Sequence, residues 1–208
     1  NQFISKRITN IPFQYIIGKT NFYGRDFYVN KDVLIPRPVT ELFFDILKGL
    51  NFNKALDIGT GSGILAITLF LEKISTKIDE IDICHKSLKV ARKNLKTYSI
   101  NNINIFNHDI LTTPLINKYD LIVSNPPYIS YLEYQKLPNE IKNYEPQRAL
   151  TDFNDGFIFY KKFADIIKKI LNTTGIMLCE VGACTISDKV EKLFTSQGYN
   201  TKIYKDYS

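Results

Sequence analysis

The chain has 208 residues, of which 44% are hydrophobic and 23% are charged, and its formal net charge is +6. This length allows one α/β domain with a full core and leaves little room for a second domain of ordinary size. The composition excludes a low-complexity chain, no apolar run is long enough to span a bilayer, and no run of basic residues forms a nucleic-acid footprint.

The first part of the chain, residues 1–38, shows no helical pattern and predicts a small β-hairpin. Glycines and prolines separate short aromatic segments with strand-like alternation at residues 22–23 and 27–29. An apolar-periodic helix then opens at residues 40–41 and runs to residue 47. Arg37 stands near its start, as either a surface residue or a group that grips a ligand or a site loop.

From residue 54 onward strands and helices alternate, which predicts a mostly parallel, doubly wound α/β sheet. The predicted strands cover residues 55–58, 78–83, 104–106, 121–124 and 176–181, with a last strand at 199–204. The predicted helices cover residues 64–70, 88–95, 157–171 and 186–194. A long loop separates residue 124 from the helix that begins at residue 157.

Polar residues lie at the ends of four predicted strands. They are Asp57, Asp82, Asp109 and Asn125. In an open parallel sheet, ligands bind outside the carboxyl ends of the strands, near the point where the strand order reverses. We therefore expect these four positions to face one crevice.

The predicted apolar strand at residues 121–124 ends at the stretch Asn125-Pro126-Pro127-Tyr128, whose residues a buried strand would not tolerate. Two consecutive prolines remove two backbone donors and hold the chain stiff. The asparagine side-chain carbonyl, the Pro126 carbonyl and the tyrosine ring offer two acceptors and a flat wall to a planar amino or amide group. The simpler alternative is a strand that stops at a Pro-Pro turn.

The glycine-rich loop Gly59-Thr60-Gly61-Ser62-Gly63 connects a predicted strand to a helix, where bare backbone can approach a ligand closely. It is neither a dinucleotide fingerprint, which would need glycine at position 64, nor a P-loop. A nucleoside with a short amino-acid tail remains the common guest, and S-adenosylmethionine fits. Asp82 could accept its ribose hydroxyls, while Asp109 and Ile110 could hold the adenine, although strand-end aspartates are commonly caps or turn residues.

Three other sets of residues do not indicate a site. The cysteines Cys84, Cys179 and Cys184 form no CxxC pair and have no histidine cluster nearby, which favours a reducing cytosol and argues against a metal. We interpret His85 and His108 as local structural residues. Four lysines on one predicted helix form a solvated face: Lys86, Lys89, Lys93 and Lys96.

Several segments resemble the class I methyltransferases of the HemK type, which methylate the glutamine side chain of peptide-chain release factors at their GGQ motif. The resemblance covers almost the whole chain. It is carried by PFQYIIG at residues 12–18, FYGRDF at 22–27, VLIPRPVTE at 33–41, DIGTGSG at 57–63, SNPPYI at 124–129 and YEPQRAL at 144–150, and by Asp155, Gly156 and Tyr160. The Asn-Pro-Pro-Tyr motif alone also occurs in nucleic-acid amino methyltransferases, whereas the IPRP and YEPxxAL segments are much more specific.

The resemblance implies a Rossmann-like class I methyltransferase fold, with a linker and β-hairpin segment over residues 1–38 and a methyltransferase domain over 39–208. It assigns residues 59–63, Asp82, Ile110 and Asn125 to S-adenosylmethionine, and residues 125–128 to the glutamine amide. Class I release factors are the implied partners. The sequence departs from the family at Val39, where glutamate is usual. From the resemblance we expect that the 208 residues do not include most of the N-terminal helical domain or the final strand of the family.

Three alternatives to release-factor methylation stay open. The same motif could methylate the glutamine of a ribosomal protein, or a flipped base of DNA or rRNA. The fold could also serve as a catalytically silent binding module. In the methyltransferase interpretation, Asn125 and Pro126 orient the amide, Tyr128 stacks on it, Tyr131 extends the wall and no dedicated general base is required.

Overall fold

The computed structural model describes residues 4, 7–182 and 185–205. The predicted hairpin is confirmed as two antiparallel strands, β1 (Lys19–Phe22) and β2 (Arg25–Tyr28). The two residues between them, Tyr23 and Gly24, both have positive φ, which a tight type I′ hairpin turn requires.

The expectation that residues 1–38 show no helical pattern was wrong: among the described residues, positions 4, 7 and 8 are helical, and a short helix follows them. Helix α1 (Phe13–Ile17) has five residues and ends at Gly18, whose φ of +72° is left-handed. A glycine at this position closes a helix without steric cost. Five residues are too few to show a helical period in the sequence, so the pattern could not reveal this helix.

The predicted parallel sheet is confirmed. Its strands are β3 (Ala55–Ile58), β4 (Ile78–Asp82), β5 (Ile103–Asn107), β6 (Tyr119–Ser124) and β7 (Leu171–Cys179). Their spatial order is β5-β4-β3-β6-β7, and every neighbouring pair is parallel. Strand β7 begins five residues earlier than predicted, and its register against β6 shifts between Tyr119 and Leu121.

The longer helices lie close to their predicted positions, and two short α-helices and a 3-10 helix (Gln147–Ala149) lie inside the predicted loop. The longer helices are α2 (Leu42–Leu47), α3 (Ile64–Leu71), α4 (His85–Thr97), α7 (Ile158–Ile170) and α8 (Thr185–Ser196). The short ones are α5 (Tyr131–Tyr134) and α6 (Asn139–Tyr144). A capping box, in which Ser130 and Glu133 bind each other's backbone N–H groups, explains why α5 begins where it does.

Helices cover both faces of the sheet, as a doubly wound fold requires. Strand β3 lies at the centre and is buried along its whole length. One face packs against α2, α3, α4 and the hairpin, whose Phe22 and Phe27 belong to this core. The other face packs against α7 and α8 through residues such as Tyr160, Phe163 and Phe194.

The predicted last strand at residues 199–204 was wrong, because the described residues 199–205 carry no strand. Tyr199 is held by its own neighbourhood: its N–H donates to the Phe194 carbonyl, and its ring packs on Phe194. The side chains beyond it, through residue 205, are exposed. Without a buried face or a paired neighbour, alternation in the sequence does not make a strand.

The predicted lysine face of α4 is confirmed, since Lys86, Lys89, Lys93 and Lys96 are all exposed. Cys84 and Cys179 are free thiols, and Cys184 lies outside the described residues. Across the described part of the chain, no helix combines the length and apolar character needed to cross a membrane.

Candidate active site

The strand order reverses between β3 and β6, and the two main sequence motifs meet there. Ile58 and Ser124 are register partners at the carboxyl ends of these two parallel strands. The glycine loop begins at the residue after Ile58, and the Asn-Pro-Pro-Tyr stretch begins at the residue after Ser124. The two motifs therefore lie side by side at the switch point, where open parallel sheets bind their ligands.

The glycine loop has a conformation that depends on its three glycines. Gly59, Gly61 and Gly63 have φ values of +76°, +56° and +80°. A Cβ on Gly63 would lie 3.2 Å from the Cβ of Ala91, so this glycine lets α4 pack against the loop. A Cβ on Gly59 would meet no atom within 4 Å, so the bare backbone faces open space. Another molecule can therefore approach this part of the loop closely.

Asp82 supports the glycine loop directly. Its Oδ2 accepts a hydrogen bond from the Gly61 N–H at 3.0 Å, and its Oδ1 accepts one from the Cys84 N–H at 2.7 Å. Burial raises the pKa of Asp82, and these two backbone N–H groups act in the opposite direction. Each carboxylate oxygen can accept a second hydrogen bond, so the ribose role stays a prediction.

Two buried carboxyl groups lie beneath this loop on neighbouring strands. Asp57 Oδ2 accepts a hydrogen bond from the Thr60 hydroxyl, whereas Asp57 Oδ1 and both oxygens of Glu80 are buried and have no hydrogen-bond partner among the described residues. Burial is the largest cause that raises the pKa of Asp57 to about 7 and the pKa of Glu80 well above its usual range. Asp57 was expected to face the crevice, but its side chain is fully buried. Sequence reasoning did not single out Glu80.

Asp109 forms a local turn. Its Oδ1 accepts from the Leu111 N–H and its Oδ2 accepts from the Thr112 hydroxyl. Ile110 is buried in the core formed with α7 and α8. The segment reaches the correct edge of the sheet, because the His108 N–H donates to the Asp82 carbonyl, but the adenine contacts remain a prediction.

The Asn-Pro-Pro-Tyr stretch is held by a residue that sequence reasoning missed. Asn125 Nδ2 lies 2.8 Å from Glu180 Oε2 and 3.3 Å from Thr40 Oγ1, and the Tyr128 hydroxyl donates to Glu180 Oε1 at 2.9 Å. Glu180 directly follows β7 and is buried. It is a polar residue at a strand end, so the rule that identified the other four positions could have found it too.

Two glycines make room for Tyr128. A Cβ on Gly156 would lie well inside 3.0 Å of the Tyr128 carbonyl oxygen, and a Cβ on Gly182 would lie 3.0 Å from Tyr128 Cδ2. The next residue, Ile129, donates its N–H to the Leu150 carbonyl. The segments around Leu150 and Gly156 thus pack directly on the motif.

Arg37 forms an ion pair with Glu145, in a loop beside the site. Of the two interpretations that the sequence left open, this contact favours a residue that holds a site loop over a surface residue. Arg37 Nη2 donates to Glu145 Oε1 at 2.7 Å, while Glu145 Oε2 accepts from the Ile35 N–H at 3.2 Å. The Glu145 side chain is 2% exposed. This pair joins the segment that contains IPRP to the segment that contains YEPQRAL, although 108 residues separate Arg37 from Glu145.

A small cavity of about 170 Å³ opens beside Asn125 and Tyr128. Apart from Arg37, its other walls are mainly apolar and come from loops and short helical segments: Leu34, Ile129, Leu137, Ile141, Ala149 and Leu150. A cavity with an amide, a phenol ring and apolar walls is suited to a short side chain that ends in a planar polar group.

His108 and Tyr131, which the sequence analysis considered, contact residues close to them in the chain. The His108 Nε2 is 3.1 Å from the Thr113 carbonyl oxygen, so the ring donates to its own loop. Tyr131 stacks on Tyr134, with ring centroids 6.4 Å apart. The expected extension of the Tyr128 wall by Tyr131 is therefore not supported by this ring pair.

Comparison with known proteins identifies the family of this chain. The methyltransferase small domain family matches residues 38–141. The chain is 40% identical to a release factor glutamine methyltransferase of Fusobacterium nucleatum over 94% of its own length and 57% of that protein. It is also 40% identical to the release factor glutamine methyltransferase of Bacillus subtilis, over 94% of its own length and 72% of that protein.

Solved structures share the fold at low sequence identity. A methyltransferase of Pyrococcus furiosus superposes with a TM-score of 0.70 at 19% identity, covering 98% of this chain and 93% of that one. A ribosomal protein L11 methylase of Lactobacillus delbrueckii gives a TM-score of 0.63 at 17% identity, covering 86% and 79%. These structures support a class I Rossmann-like methyltransferase fold. The sequence matches place the chain in the release factor glutamine methyltransferase family.

Proposed function

We propose that this chain transfers a methyl group from S-adenosylmethionine to the side-chain amide nitrogen of a glutamine in class I peptide-chain release factors. The observation that carries the proposal is the juxtaposition of the glycine loop and the Asn125–Tyr128 stretch at the β3/β6 switch point. A cofactor on the loop and an amide on the stretch would then be neighbours. The curated relatives support the choice of substrate.

The residues at the switch point fit S-adenosylmethionine. The open face of Gly59 permits close approach, and Asp82 stands beside Gly61 with spare acceptor capacity for ribose hydroxyls. Asp109 and Ile110 would lie next to the adenine. When bound, this cofactor supplies an electrophilic methyl group on a sulfonium centre.

The residues that orient the amide are Asn125, Pro126 and Tyr128. An amide nitrogen is a poor nucleophile, because its lone pair is delocalised into the carbonyl group. If Asn125 Oδ1 and the Pro126 carbonyl oxygen each accept one N–H of the glutamine, the nitrogen lone pair is directed toward the cofactor side. Tyr128 would hold the amide plane by stacking, and Pro127 keeps the turn rigid. Positioning of this kind can supply much of a barrier reduction.

The proposal also covers the setting of the reaction and the division of the chain. We propose that residues 39–208 form the methyltransferase domain and that residues 1–38 form a linker and hairpin segment. A cytoplasmic location accompanies this function, because release factors act on ribosomes.

The direct test is methyl transfer from labelled S-adenosylmethionine to a purified release factor, followed by mass spectrometry of the peptide that contains the GGQ motif. We expect a gain of one methyl group on the glutamine, and no gain on a release factor in which that glutamine is replaced by alanine. Ribosomal proteins, DNA and rRNA are assayed in parallel. Methylation of one of these with none on the release factor would overturn the choice of substrate, and a chain that binds no S-adenosylmethionine in calorimetry would favour a silent binding module.

A further inference from the structure

Glu180 connects the end of strand β7 to both functional side chains of the Asn-Pro-Pro-Tyr stretch. Its Oε2 lies 2.8 Å from Asn125 Nδ2 and 2.6 Å from Thr40 Oγ1, and its Oε1 lies 2.9 Å from the Tyr128 hydroxyl. One carboxylate thus contacts the two side chains that the proposed reaction uses. Because it can bond to both at once, it can set their relative position.

The backbone of Glu180 is fixed relative to strand β6. Its N–H donates to the Ser124 carbonyl at 3.0 Å, and its own carbonyl accepts a hydrogen bond from the Tyr160 hydroxyl at 2.9 Å. Tyr160 is fully buried in the core beneath. The backbone that carries this carboxylate is therefore fixed by hydrogen bonds to strand β6 and to a core tyrosine, and the position of the carboxylate does not depend on a loop.

The hydrogen bonds around this carboxylate determine which way the Asn125 amide points. Thr40, Asn125 and Tyr128 place three hydrogen-bond donors around Glu180, and the oxygens of a carboxylate can only accept. Asn125 must then present its NH₂ group to Glu180. Both hydrogens of Asn125 Nδ2 are used, one on Glu180 Oε2 and one on Thr40 Oγ1. Among the described residues, none donates to Asn125 Oδ1, so this oxygen is available as an acceptor.

We propose that Glu180 is a positioning residue that locks the Asn125 amide with its carbonyl oxygen toward the substrate and holds Tyr128 beside it. This inference rests on the proposed function, in which Asn125 accepts an N–H of the glutamine. With the amide rotated by 180°, two N–H groups of Asn125 would face the N–H groups of the substrate. Such a donor–donor contact would favour a carboxylate guest over an amide, so Glu180 also sets the preference for glutamine over glutamate.

Swapping the amide of Asn125 and the carboxylate of Glu180 tests this arrangement. Asn125→Asp places a second carboxylate against Glu180 and should lower kcat at least 100-fold. In the double variant Asn125→Asp/Glu180→Gln, the amide introduced at position 180 can donate to one oxygen of the carboxylate introduced at position 125, while the other oxygen of that carboxylate faces the substrate. We expect this double variant to be at least tenfold more active than Asn125→Asp alone, which a purely structural role of Glu180 would not produce.

Truncation of Glu180 supplies the second measurement. Glu180→Ala should lower kcat by roughly 10- to 100-fold, the effect of losing a hydrogen bond to a charged group, while the affinity for S-adenosylmethionine stays within about threefold. It should also let a release factor with glutamate in place of the GGQ glutamine inhibit the reaction at lower concentration than it inhibits wild type. Glu72→Gln, which alters a surface ion pair with Arg25, is the matched control.

A readout without turnover separates this inference from the proposed function. Side-chain N–H exchange of Asn125, followed by NMR in the chain alone, should be at least tenfold faster in Glu180→Ala than in wild type or Glu72→Gln. Absence of methyl transfer by wild type would refute the proposed function, and the exchange rates would still decide the positioning role. Unchanged exchange in Glu180→Ala, or a double variant no more active than Asn125→Asp, would overturn the inference.

Discussion

Gly156 offers a sharp test of how the loop after Thr151 holds the substrate side of the site. In Gly156→Ala, the added Cβ would lie well inside 3.0 Å of the Tyr128 carbonyl oxygen and 3.0 Å from the Tyr128 carbonyl carbon. The φ of Gly156 is +79°, a conformation that alanine rarely adopts. The substitution therefore adds both backbone strain and a clash with the backbone of Tyr128.

The two effects have different sizes and can be separated. The left-handed conformation costs a residue with a Cβ about 1–2 kcal/mol, and overpacking against a neighbouring backbone adds about 1–3 kcal/mol. We expect Gly156→Ala to lower the free energy of unfolding by about 2–5 kcal/mol. The Tyr128 backbone must also move by about 1 Å, and a displacement of this size can lower kcat by roughly 100-fold.

Gly49→Ala is the matched control. Gly49 has a φ of +80°, but a Cβ there would meet no atom within 4 Å, so only the conformational cost applies. Urea unfolding measures the stability of both variants, and single-turnover methyl transfer measures the chemical step. If the two variants lose equal stability and Gly156→Ala retains a rate within threefold of Gly49→Ala, contact with Tyr128 does not position the site.

Three further changes test other parts of the site. Asn125→Ala should abolish methyl transfer while calorimetry still detects weakened S-adenosylmethionine binding, and transfer near the wild-type rate would refute its assignment. Glu80→Leu removes a buried carboxyl group that has no hydrogen-bond partner among the described residues and whose pKa is raised above 4.5 in the folded state. The folded chain therefore binds more protons than the unfolded chain. For that reason the stability of the wild-type chain falls as the pH rises from 4.5 toward the folded-state pKa. The stability gain of this variant, about 1–4 kcal/mol by urea unfolding, should therefore grow with pH, and a gain that shrinks as pH rises would contradict the reasoning. Arg37→Ala leaves the buried Glu145 carboxylate without its ion-pair partner, so it should lower the free energy of unfolding by about 3–5 kcal/mol and raise the KM for the release factor. Lys48→Ala, at an exposed position, is the control. If the two variants have equal KM values, the ion pair does not shape the substrate side of the site.

Local chemistry made the main elements of the fold and the two motifs of the site predictable. Apolar runs that alternate with periodic helices are typical of a parallel sheet, because each element must bury a face of a particular period. The glycine loop and the two prolines report backbone requirements of single positions, which a sequence states directly. For that reason residues 59–63 and 125–128 could be placed at strand ends before the sheet order was known.

Contacts between distant segments could not be predicted in the same way. Glu180 lies 55 residues from Asn125, and Glu145 lies 108 residues from Arg37. Whether such residues meet depends on the order of the strands and on how the loops fold over their ends, and no local pattern encodes either. The same reasoning explains Asp82, which the strand-end rule located correctly but whose hydrogen bonds to the glycine loop required the β3–β4 pairing.

The errors at the two ends of the described chain have the same origin. Residues 199–204 alternate like a strand, but a strand forms only where a neighbour satisfies its backbone, and the described structure pairs β7 on its β6 side alone. Helix α1 is stabilised by a glycine cap and is too short to show a period. Sequence patterns thus specified which chemistry each motif could offer, because that chemistry belongs to single side chains and backbone positions. The tertiary structure decided which groups face one another, and so placed Glu180 behind Asn125, because that depends on the packing of segments far apart in the chain.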